Sequence, residues 1–405
     1  MPGWIIKEEP TMQQKLAQMR EDARFDVSDD QDTDTECIPD LSSLDVIHSQ
    51  PTAPKVPKLF VSNDCRFNCA YCGCRCSHDK TRYCHDPKEL AKIAVDEAIR
   101  NRHGVFVTSA ICRNADYTEE LIVETIKSMR RDLHYTGYIH AKVMPGADPL
   151  LIEQAGRYAN RLSVNIEVAK SEGYDRIAKQ KNRENILTPM GQISRMIQAA
   201  KGERRRFAVS QTTQLMAGST GETDRTILTL SEALYRKYQL NRVYYTAFQY
   251  VHPAKGYDLP LVSMPKWRPR RLYQADRLLK LYGFTPEEIV PESAPDLDET
   301  IDPKVAYAIR QIDQFPVEVN TADYEQLLRV PGIGIVYAKK ILEARKFMTL
   351  THASLQKIGV PLKRCRYFIL CNGRYTGGKS IDHPESLLSI FREDVSAKSE
   401  QLAFF

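Results

Sequence analysis

Five cysteines lie within the twelve-residue segment CRFNCAYCGCRC, which begins at Cys65. The first three, Cys65, Cys69 and Cys72, have the spacing C-x3-C-x2-C, and Cys74 and Cys76 follow them. Full ligation of a cubane iron–sulfur cluster takes four thiolates, so a set of three leaves one iron open. Catalytic zinc sites keep a position for a small molecule in the same way. The spacing therefore predicts a cluster with one exchangeable position.

Other uses of these thiols remain open. Two of the first three cysteines, together with Cys74, Cys76 or His78, could form a zinc site. A second cluster or metal could use Cys74, Cys76, Cys84 and Cys112, which could instead remain free thiols. The chain begins without a signal-peptide pattern, and no apolar run reaches the roughly 18 residues of a membrane span. We therefore expect a cytoplasmic protein that does not enter a membrane. In the reducing cytoplasm, clustered cysteines bind metals or take part in catalysis more often than they form disulfides.

Strand and helix patterns alternate six times in the first two thirds of the chain, which indicates parallel βαβ units. In the fourth predicted strand, at 161–169, polar Ser163, Asn165 and Glu167 alternate with apolar residues. A sheet covered by helices directs such a polar face into a barrel lumen or an active site. We expect a partial or full βα barrel, with a doubly wound open sheet as the alternative. The six predicted strands are 59–64, 104–110, 137–144, 161–169, 207–218 and 242–251.

The segment CRFNCAYC, with Tyr71 before its third cysteine, follows a predicted strand and precedes a helix predicted at 86–102, with Asp86 as its cap and Pro87 in its first turn. It resembles the signature of radical S-adenosylmethionine enzymes. The resemblance implies a 4Fe-4S cluster on the first three cysteines, S-adenosylmethionine on the open iron, and a 5′-deoxyadenosyl radical as oxidant. The family's Gly-Gly-Glu-like motif is replaced here by Thr108-Ser109-Ala110, so hydroxyl or backbone groups must serve. The expected cofactor-binding residues are Tyr71, Thr108, Ser109, Ser163, Asn165 and Glu167.

The segment LLRVPGIGIVYAKKILEAR resembles a helix-hairpin-helix DNA-binding module. Gly332 and Gly334 let backbone N–H groups approach a phosphate at the start of a helix, and Lys339 and Lys340 follow. Such contacts hold the backbone without reading bases. A protein-docking hairpin is the alternative. Thr321 is expected to cap the first helix, and a degenerate second repeat is expected at 350–370, with its turn at Ile358-Gly359-Val360.

The charge distribution agrees with this placement. Residues 1–50 contain twelve acidic and four basic residues, whereas 317–378 contain ten basic and four acidic ones. A polyanion is therefore expected to bind near the C-terminus. The predicted organisation is an acidic, partly disordered segment at 1–50, a radical S-adenosylmethionine barrel at 51–255, an accessory segment at 256–314, a small all-α helix-hairpin-helix domain at 315–378 and a tail at 379–405.

The order of the two modules, with KVMPGAD (142–148) and RLSVNIE (161–167), resembles a family described as DNA modification or repair radical S-adenosylmethionine proteins. The resemblance implies action on DNA and a uracil-DNA-glycosylase-like protein as partner. A flavodoxin or ferredoxin would supply electrons. One alternative is an enzyme that modifies RNA such as tRNA, and another is a non-catalytic iron–sulfur DNA sensor.

Overall fold

The computed structural model describes residues 58–203, 206–248, 264–265, 267–378 and 383–392. The predicted acidic segment at 1–50 and the tail beyond 392 lie outside them. The described residues divide into two compact units. One contains 58–222, 234–248 and Met264, and the other contains 223–233 and the residues from Pro265 onward. Much of the predicted accessory segment thus falls in the same unit as the predicted hairpin domain.

Six strands form one parallel sheet in which each strand pairs with the next along the chain. This order never reverses. In a doubly wound sheet it would reverse at a switch point. Because right-handed crossovers in one direction place every helix on the same face, the other face is left as the inside of a partial barrel. The barrel prediction is therefore confirmed over the doubly wound alternative. The strands are β1 (Lys58–Phe60), β2 (Val105–Thr108), β3 (Ile139–Lys142), β4 (Arg161–Ser163), β5 (Ser210–Ala217) and β6 (Arg242–Ala247).

Helices connect these strands, and local sequence explains where they begin. The first helix starts at Pro87, and the Asp86 carboxylate accepts from the backbone N–H groups of Lys88 and Glu89, as the sequence predicted. Asn114 and Asp148 cap the next two helices in the same manner. The helices are α1 (Pro87–Asn101), α2 (Ala115–Arg131), α3 (Pro149–Tyr158), α4 (Glu172–Ile177), α5 (Arg183–Glu203) and α6 (Asp224–Tyr238).

The strand β4 is shorter than the nine-residue strand predicted from its alternating pattern. Beyond Ser163 the backbone N–H of Ile166 bonds the side-chain oxygen of Thr213 instead of a backbone carbonyl of β5. Glu167 then has a positive φ of 63° and rejoins β5 through a single bridge to Leu215. The polar and apolar residues of 161–169 still alternate in sequence, but the regular backbone hydrogen bonding between β4 and β5 is interrupted near the carboxyl end of the sheet.

The second unit is mainly helical, as predicted. Two short helices pack in the hairpin arrangement on each side of residue 350, and three short strands that the sequence pattern did not predict accompany them. Its helices are α7 (Trp267–Tyr282), α8 (Pro286–Ile289), α9 (Pro303–Arg310), α10 (Tyr324–Arg329), α11 (Ile335–Ala344), α12 (His352–Lys357) and α13 (Leu362–Cys365). Its strands are β7 (Val317–Glu318), β8 (Ile369–Cys371) and β9 (Arg374–Tyr375). Across the described residues, no helix combines the length and the apolar character needed to cross a bilayer.

Candidate functional sites

The cysteine loop follows β1 directly, at the carboxyl end of the parallel sheet. Cys65 and Cys69 are buried, Cys72 is half-buried and Cys76 is exposed. The carboxyl end is where barrel enzymes place their reacting groups, because the loops after the strands converge there. The structure thus places the three predicted ligand thiols where a βα barrel holds a cofactor.

Backbone hydrogen bonds fix the loop against the rest of the barrel. The N–H of Arg66 donates to the carbonyl of Ile111 at 2.8 Å, and the N–H of Ala70 donates to the carbonyl of Ile177 at 2.8 Å. The Arg82 guanidinium donates to four loop carbonyls at 2.7–2.8 Å, those of Asn63, Cys74, Arg75 and His78. A loop held from both sides presents its thiols in a fixed arrangement, which is what a cluster with only three protein ligands requires.

Two of the three sulfurs accept backbone hydrogen bonds. The N–H of Phe67 lies 3.3 Å from Cys65 Sγ, and the N–H of Cys74 lies 3.4 Å from Cys72 Sγ. A hydrogen bond from the Cys74 side chain, and then the Cys74 backbone N–H and the charge of Lys181, lower the pKa of Cys72 to about 7, although burial acts against them. Hydrogen bonds to sulfur stabilise the thiolate, which is the form that binds iron.

The other two thiols lie in surroundings that disfavour a bare negative charge. Burial, and then the charge of Cys72, raise the pKa of Cys65 to about 11. Burial raises the pKa of Cys69 to about 12, against the opposing charge of Lys181. Buried sulfurs that interact with one another suit a site where metal ions replace the protons. The donor set therefore fits a thiolate-bound cluster. The described residues contain no group of three or more His, Cys, Asp or Glu side chains arranged to hold a single metal ion.

A buried lysine beside the cysteines was missed by the sequence reasoning. Lys181 Nζ donates to Glu167 Oε1 at 2.7 Å and to Tyr71 Oη at 3.2 Å. Both members of the Lys181–Glu167 pair are nearly buried, with 12% and 6% of their side chains exposed. Tyr71 and Glu167 were expected to contact S-adenosylmethionine, and the structure brings both together through Lys181. No local pattern marks Lys181, because its partners lie in two distant segments of the chain.

The remaining predicted cofactor residues, Thr108, Ser109, Ser163 and Asn165, are all buried. Ser163 Oγ lies 2.9 Å from His140 Nε2, and the His140 ring stacks on Phe106 with ring centroids 4.1 Å apart. The Ser109 hydroxyl donates to the backbone carbonyl of Ala110 at 2.8 Å and accepts from the N–H of Ser62. Thr108 is 1% exposed and Asn165 is 8% exposed. Their contacts with a cofactor stay a prediction.

The first C-terminal hairpin contains α10, a tight turn and α11. Its first helix is capped by Asp323 and not by Thr321, so that prediction was wrong. Asp323 forms a capping box with Gln326, in which each side chain accepts from the other residue's backbone N–H. Gly332 has a positive φ of 85°, and Gly334 is the N-cap residue of α11. The structure therefore places the two predicted phosphate-contacting glycines at the turn and the helix start.

The predicted second repeat is present and packs on the first. Thr351 caps α12 with a capping box, and Gly359 has a φ of 87° at the following turn. Lys339 and Lys340 are both exposed. Lys340 Nζ also donates to the carbonyl of Ile358 at 3.2 Å, so that Lys340 links the two hairpins. The pair of hairpins thus forms one packed element with positive charge beside its turns.

Comparison with known proteins gives one family match. A family model described as a helix-hairpin-helix motif matches residues 313–352. No curated protein sequence matches the chain. The structure resembles that of SuiB from Streptococcus suis (12% identity, TM-score 0.38) over 56% of this chain and 46% of that one, so the chain spans about half its length.

Two further structures are similar to the chain. The FeFe-hydrogenase maturase HydG is 13% identical with a TM-score of 0.42, over 86% of this chain and 81% of that one. The radical S-adenosylmethionine methyltransferase TsrM from Kitasatospora setae, solved with tryptophan and an S-adenosylmethionine analogue, is 12% identical with a TM-score of 0.36. That match covers 86% of this chain and 62% of TsrM. Similarity at this level carries no inference about the reaction.

Proposed function

We propose that the protein is a radical S-adenosylmethionine enzyme that acts on DNA, in repair or base modification. The observation that carries the proposal is the placement of Cys65, Cys69 and Cys72 together on one anchored loop at the carboxyl end of β1. A helix-hairpin-helix motif on the same chain supports a nucleic acid as the substrate.

In this proposal the three thiolates hold a 4Fe-4S cluster and leave one iron for S-adenosylmethionine. When bound, the cluster would supply one electron and S-adenosylmethionine would supply the radical. The protein would position S-adenosylmethionine and the substrate and shield the radical from water. Tyr71, Ser163 and Asn165 would contact S-adenosylmethionine. Lys181 places a positive charge beside the cysteines, which offsets part of the negative charge of thiolates and cluster.

For the substrate, the hairpin would hold the DNA backbone through the N–H groups of Gly332 and Gly334 and the charges of Lys339 and Lys340. These contacts carry no sequence preference. A base in a duplex would have to leave the stack before a radical in a barrel could reach it. A flavodoxin or ferredoxin is proposed as the electron donor, and a uracil-DNA-glycosylase-like protein as a partner that supplies or consumes the modified site.

Anaerobic reconstitution with ferrous iron and sulfide tests the cluster. We expect about four iron and four sulfide per chain, lost when Cys65, Cys69 or Cys72 is changed to alanine. The exposed Cys76→Ala variant is the matched control and should keep them. Reduced holoprotein with S-adenosylmethionine should then release 5′-deoxyadenosine. Purified protein that holds zinc instead would defeat the proposal.

Fluorescence anisotropy with labelled DNA across a salt series tests the substrate. Binding should weaken as salt rises, and Lys339→Met and Lys340→Met should each reduce the slope of log K against log salt by about 1. Mass spectrometry of nucleosides after turnover would then identify the product. Preference for RNA in direct competition would favour the tRNA-modifying alternative, and a loaded protein that never yields 5′-deoxyadenosine would favour the sensor.

A further inference from the structure

A buried lysine lies directly beneath the turn of the first C-terminal hairpin. Lys304, in the first turn of α9, is only 5% exposed. Its Nζ donates to the backbone carbonyl of Ile333 at 2.5 Å and lies 4.9 Å from the centroid of the Tyr282 ring. Lys304 lies outside residues 313–352, which match the helix-hairpin-helix model. The hairpin motif alone therefore does not contain this cation.

The hydrogen bond from Lys304 is made to the peptide unit that joins Ile333 and Gly334, and the N–H of this unit is a proposed phosphate contact. The Ile333 carbonyl and the Gly334 N–H belong to the same planar, resonance-coupled amide. A cation that bonds the oxygen of an amide draws electron density from its nitrogen, so the N–H becomes a stronger donor. Gly334 is the residue at which α11 begins, where N–H groups point away from the helix toward an anion.

Lys304 lies in a cluster of charged groups that includes Asp302 and Arg364. The carboxylate of Asp302 accepts from the backbone N–H groups of Lys304 and Val305 at 3.0 Å each and forms an ion pair with Arg364. Burial opposes the charge of Asp302, but Arg364, the Val305 N–H, Arg271 and Lys304 together lower its pKa. Arg364, Arg271 and Lys304 therefore all lie near the Asp302 carboxylate, in the region that contacts the turn.

Arg364 also meets the turn itself. A Cβ built on Gly332 would lie 3.2 Å from Arg364 Cβ and 3.4 Å from the backbone nitrogen of Cys365. The second hairpin, through α13, thus packs against the turn that Lys304 supports from α9. The turn is held from two sides, and both of these contacts bring a cationic side chain close to it.

We propose that Lys304 is a positioning residue for phosphate: its ammonium group polarises the Ile333–Gly334 peptide and fixes the turn, without touching the nucleic acid. The inference rests on the proposed binding of DNA by this hairpin and adds a residue to it. A cation that acts from beneath the turn raises affinity without displacing counterions from the DNA. A surface lysine that pairs with a phosphate does displace them.

The test compares Lys304→Met, which removes the charge at similar length, with Lys304→Arg, which keeps it. Anisotropy with a labelled duplex should show about tenfold weaker binding for Lys304→Met at every salt concentration, with the salt slope unchanged. The surface control Lys339→Met should instead reduce the slope by about 1. Lys304→Arg should stay within about threefold of wild type.

A second measurement follows the NMR chemical shift of the Gly334 amide, which reports on the Ile333–Gly334 peptide. In protein labelled with ¹⁵N-glycine, the Gly334 amide proton should move upfield in Lys304→Met, while the amide of Gly359 in the second hairpin should stay in place. Titration with inorganic phosphate should then shift Gly334 less in Lys304→Met than in wild type. An unmoved Gly334 amide together with unchanged DNA affinity would overturn the inference.

The two failures are distinguishable. If wild-type protein binds duplex DNA and Lys304→Met binds it equally well, the role of Lys304 is wrong and the proposed function stands. If wild-type protein shows no salt-dependent binding to DNA, the proposed function fails, and the phosphate titration at Gly334 still decides whether Lys304 strengthens the turn as an anion site. Equal weakening in Lys304→Met and Lys304→Arg would show that shape and not charge matters, which also overturns the inference.

Discussion

Lys181 Nζ lies 2.7 Å from Glu167 Oε1 in an ion pair that is almost fully buried beside the cysteine loop. Burial acts against the charge of Lys181, but Glu167 and then Cys69 outweigh it, and the pKa of Lys181 lies above its usual range. The same lysine bonds Tyr71, which precedes Cys72 in the chain. The cysteine loop and the segment that follows β4 therefore share one charged group.

Removing one partner of this pair should destabilise the protein. We expect Lys181→Met to lower the free energy of unfolding by about 3 kcal/mol, because it leaves the Glu167 carboxylate buried without its cation. Glu167→Gln in the same chain should restore part of the loss, with a coupling energy of about 2 kcal/mol in the double-mutant cycle. Urea denaturation of the apoprotein measures all four variants.

The exposed pair of Arg157 and Glu153 is the matched control for that cycle. Its nitrogen–oxygen distance is 2.6 Å, but the side chains are 57% and 31% exposed. Water screens such a pair, so Arg157→Met should cost at most about 0.5 kcal/mol. A cost for Lys181→Met as small as this one would show that the buried pair contributes no more than a surface pair.

The three ligand thiols should differ in reactivity before a cluster is bound. With a pKa of about 7, Cys72 is half thiolate at neutral pH, whereas Cys65 and Cys69, at about 11 and 12, are almost wholly protonated. Iodoacetamide reacts with the thiolate. In the apoprotein at pH 7 to 8, peptide mass spectrometry should find Cys72 alkylated first of the three, with a rate that falls as the pH drops below 7.

The reactivity of Cys72 should fall in two variants. Cys74→Ala keeps the backbone N–H but removes the side-chain hydrogen bond to Cys72, so the reactive fraction of Cys72 at pH 7 should fall. Lys181→Met alone should also lower this fraction, because the positive charge that stabilises the Cys72 thiolate is lost. Equal alkylation of Cys65, Cys69 and Cys72 in the wild type would contradict the described hydrogen bonds.

Glu119 should make the fold less stable at alkaline pH. This carboxyl on α2 is fully buried and accepts from the Met144 N–H at 2.8 Å, and its second oxygen has no hydrogen-bond partner in the described part of the chain. Burial raises its pKa from 4.5 to about 8. The folded state therefore binds the proton more tightly than the unfolded state. The stability this contributes is complete below pH 4.5 and is lost as the pH rises through 8.

A glutamine at this position cannot titrate, so Glu119→Gln should remove that pH dependence. Between pH 6 and pH 9 the wild type should lose about 3 kcal/mol more than the variant, at roughly 1.4 kcal/mol for each pH unit between pH 6 and the folded-state pKa of about 8. Urea midpoints at matched pH values give the comparison. Parallel pH profiles for the two proteins would mean that Glu119 is already ionised at pH 6.

Local patterns were enough to predict the barrel and the position of its cysteines. The alternation of strands and helices, the Asp86 cap before Pro87 and the glycines of the hairpin each depend on neighbours within a few residues. Those features appear in the structure where the sequence placed them. The cysteine loop lies at the end of β1 for the same reason, since it follows that strand in the chain.

What the sequence did not predict depends on contacts between distant segments. Lys181 reaches Tyr71 across 110 positions, and Lys304 reaches Ile333 across 29. The strand β4 ends early because a Thr213 side chain takes the place of a backbone partner. Asp323 caps α10 in place of Thr321 because its carboxylate can form the reciprocal pair with Gln326, a choice that two candidate caps so close together do not reveal.

Gly332 provides a last test, of the hairpin turn itself. Its φ of 85° favours glycine, and a Cβ there would approach Arg364 Cβ to 3.2 Å. Gly332→Ala should therefore cost about 1 to 3 kcal/mol of stability, from backbone strain together with the close contact. Gly283 separates the two causes, because its φ is 68° but a Cβ placed on it would meet none of the described atoms within 4 Å. Gly283→Ala should cost about 1 kcal/mol and leave DNA binding unchanged.

Gly332→Ala should also weaken DNA binding, because the turn must shift to admit the methyl group. Equal effects of Gly332→Ala and Gly283→Ala on both stability and DNA binding would show that the packing of Arg364 against the turn is unimportant.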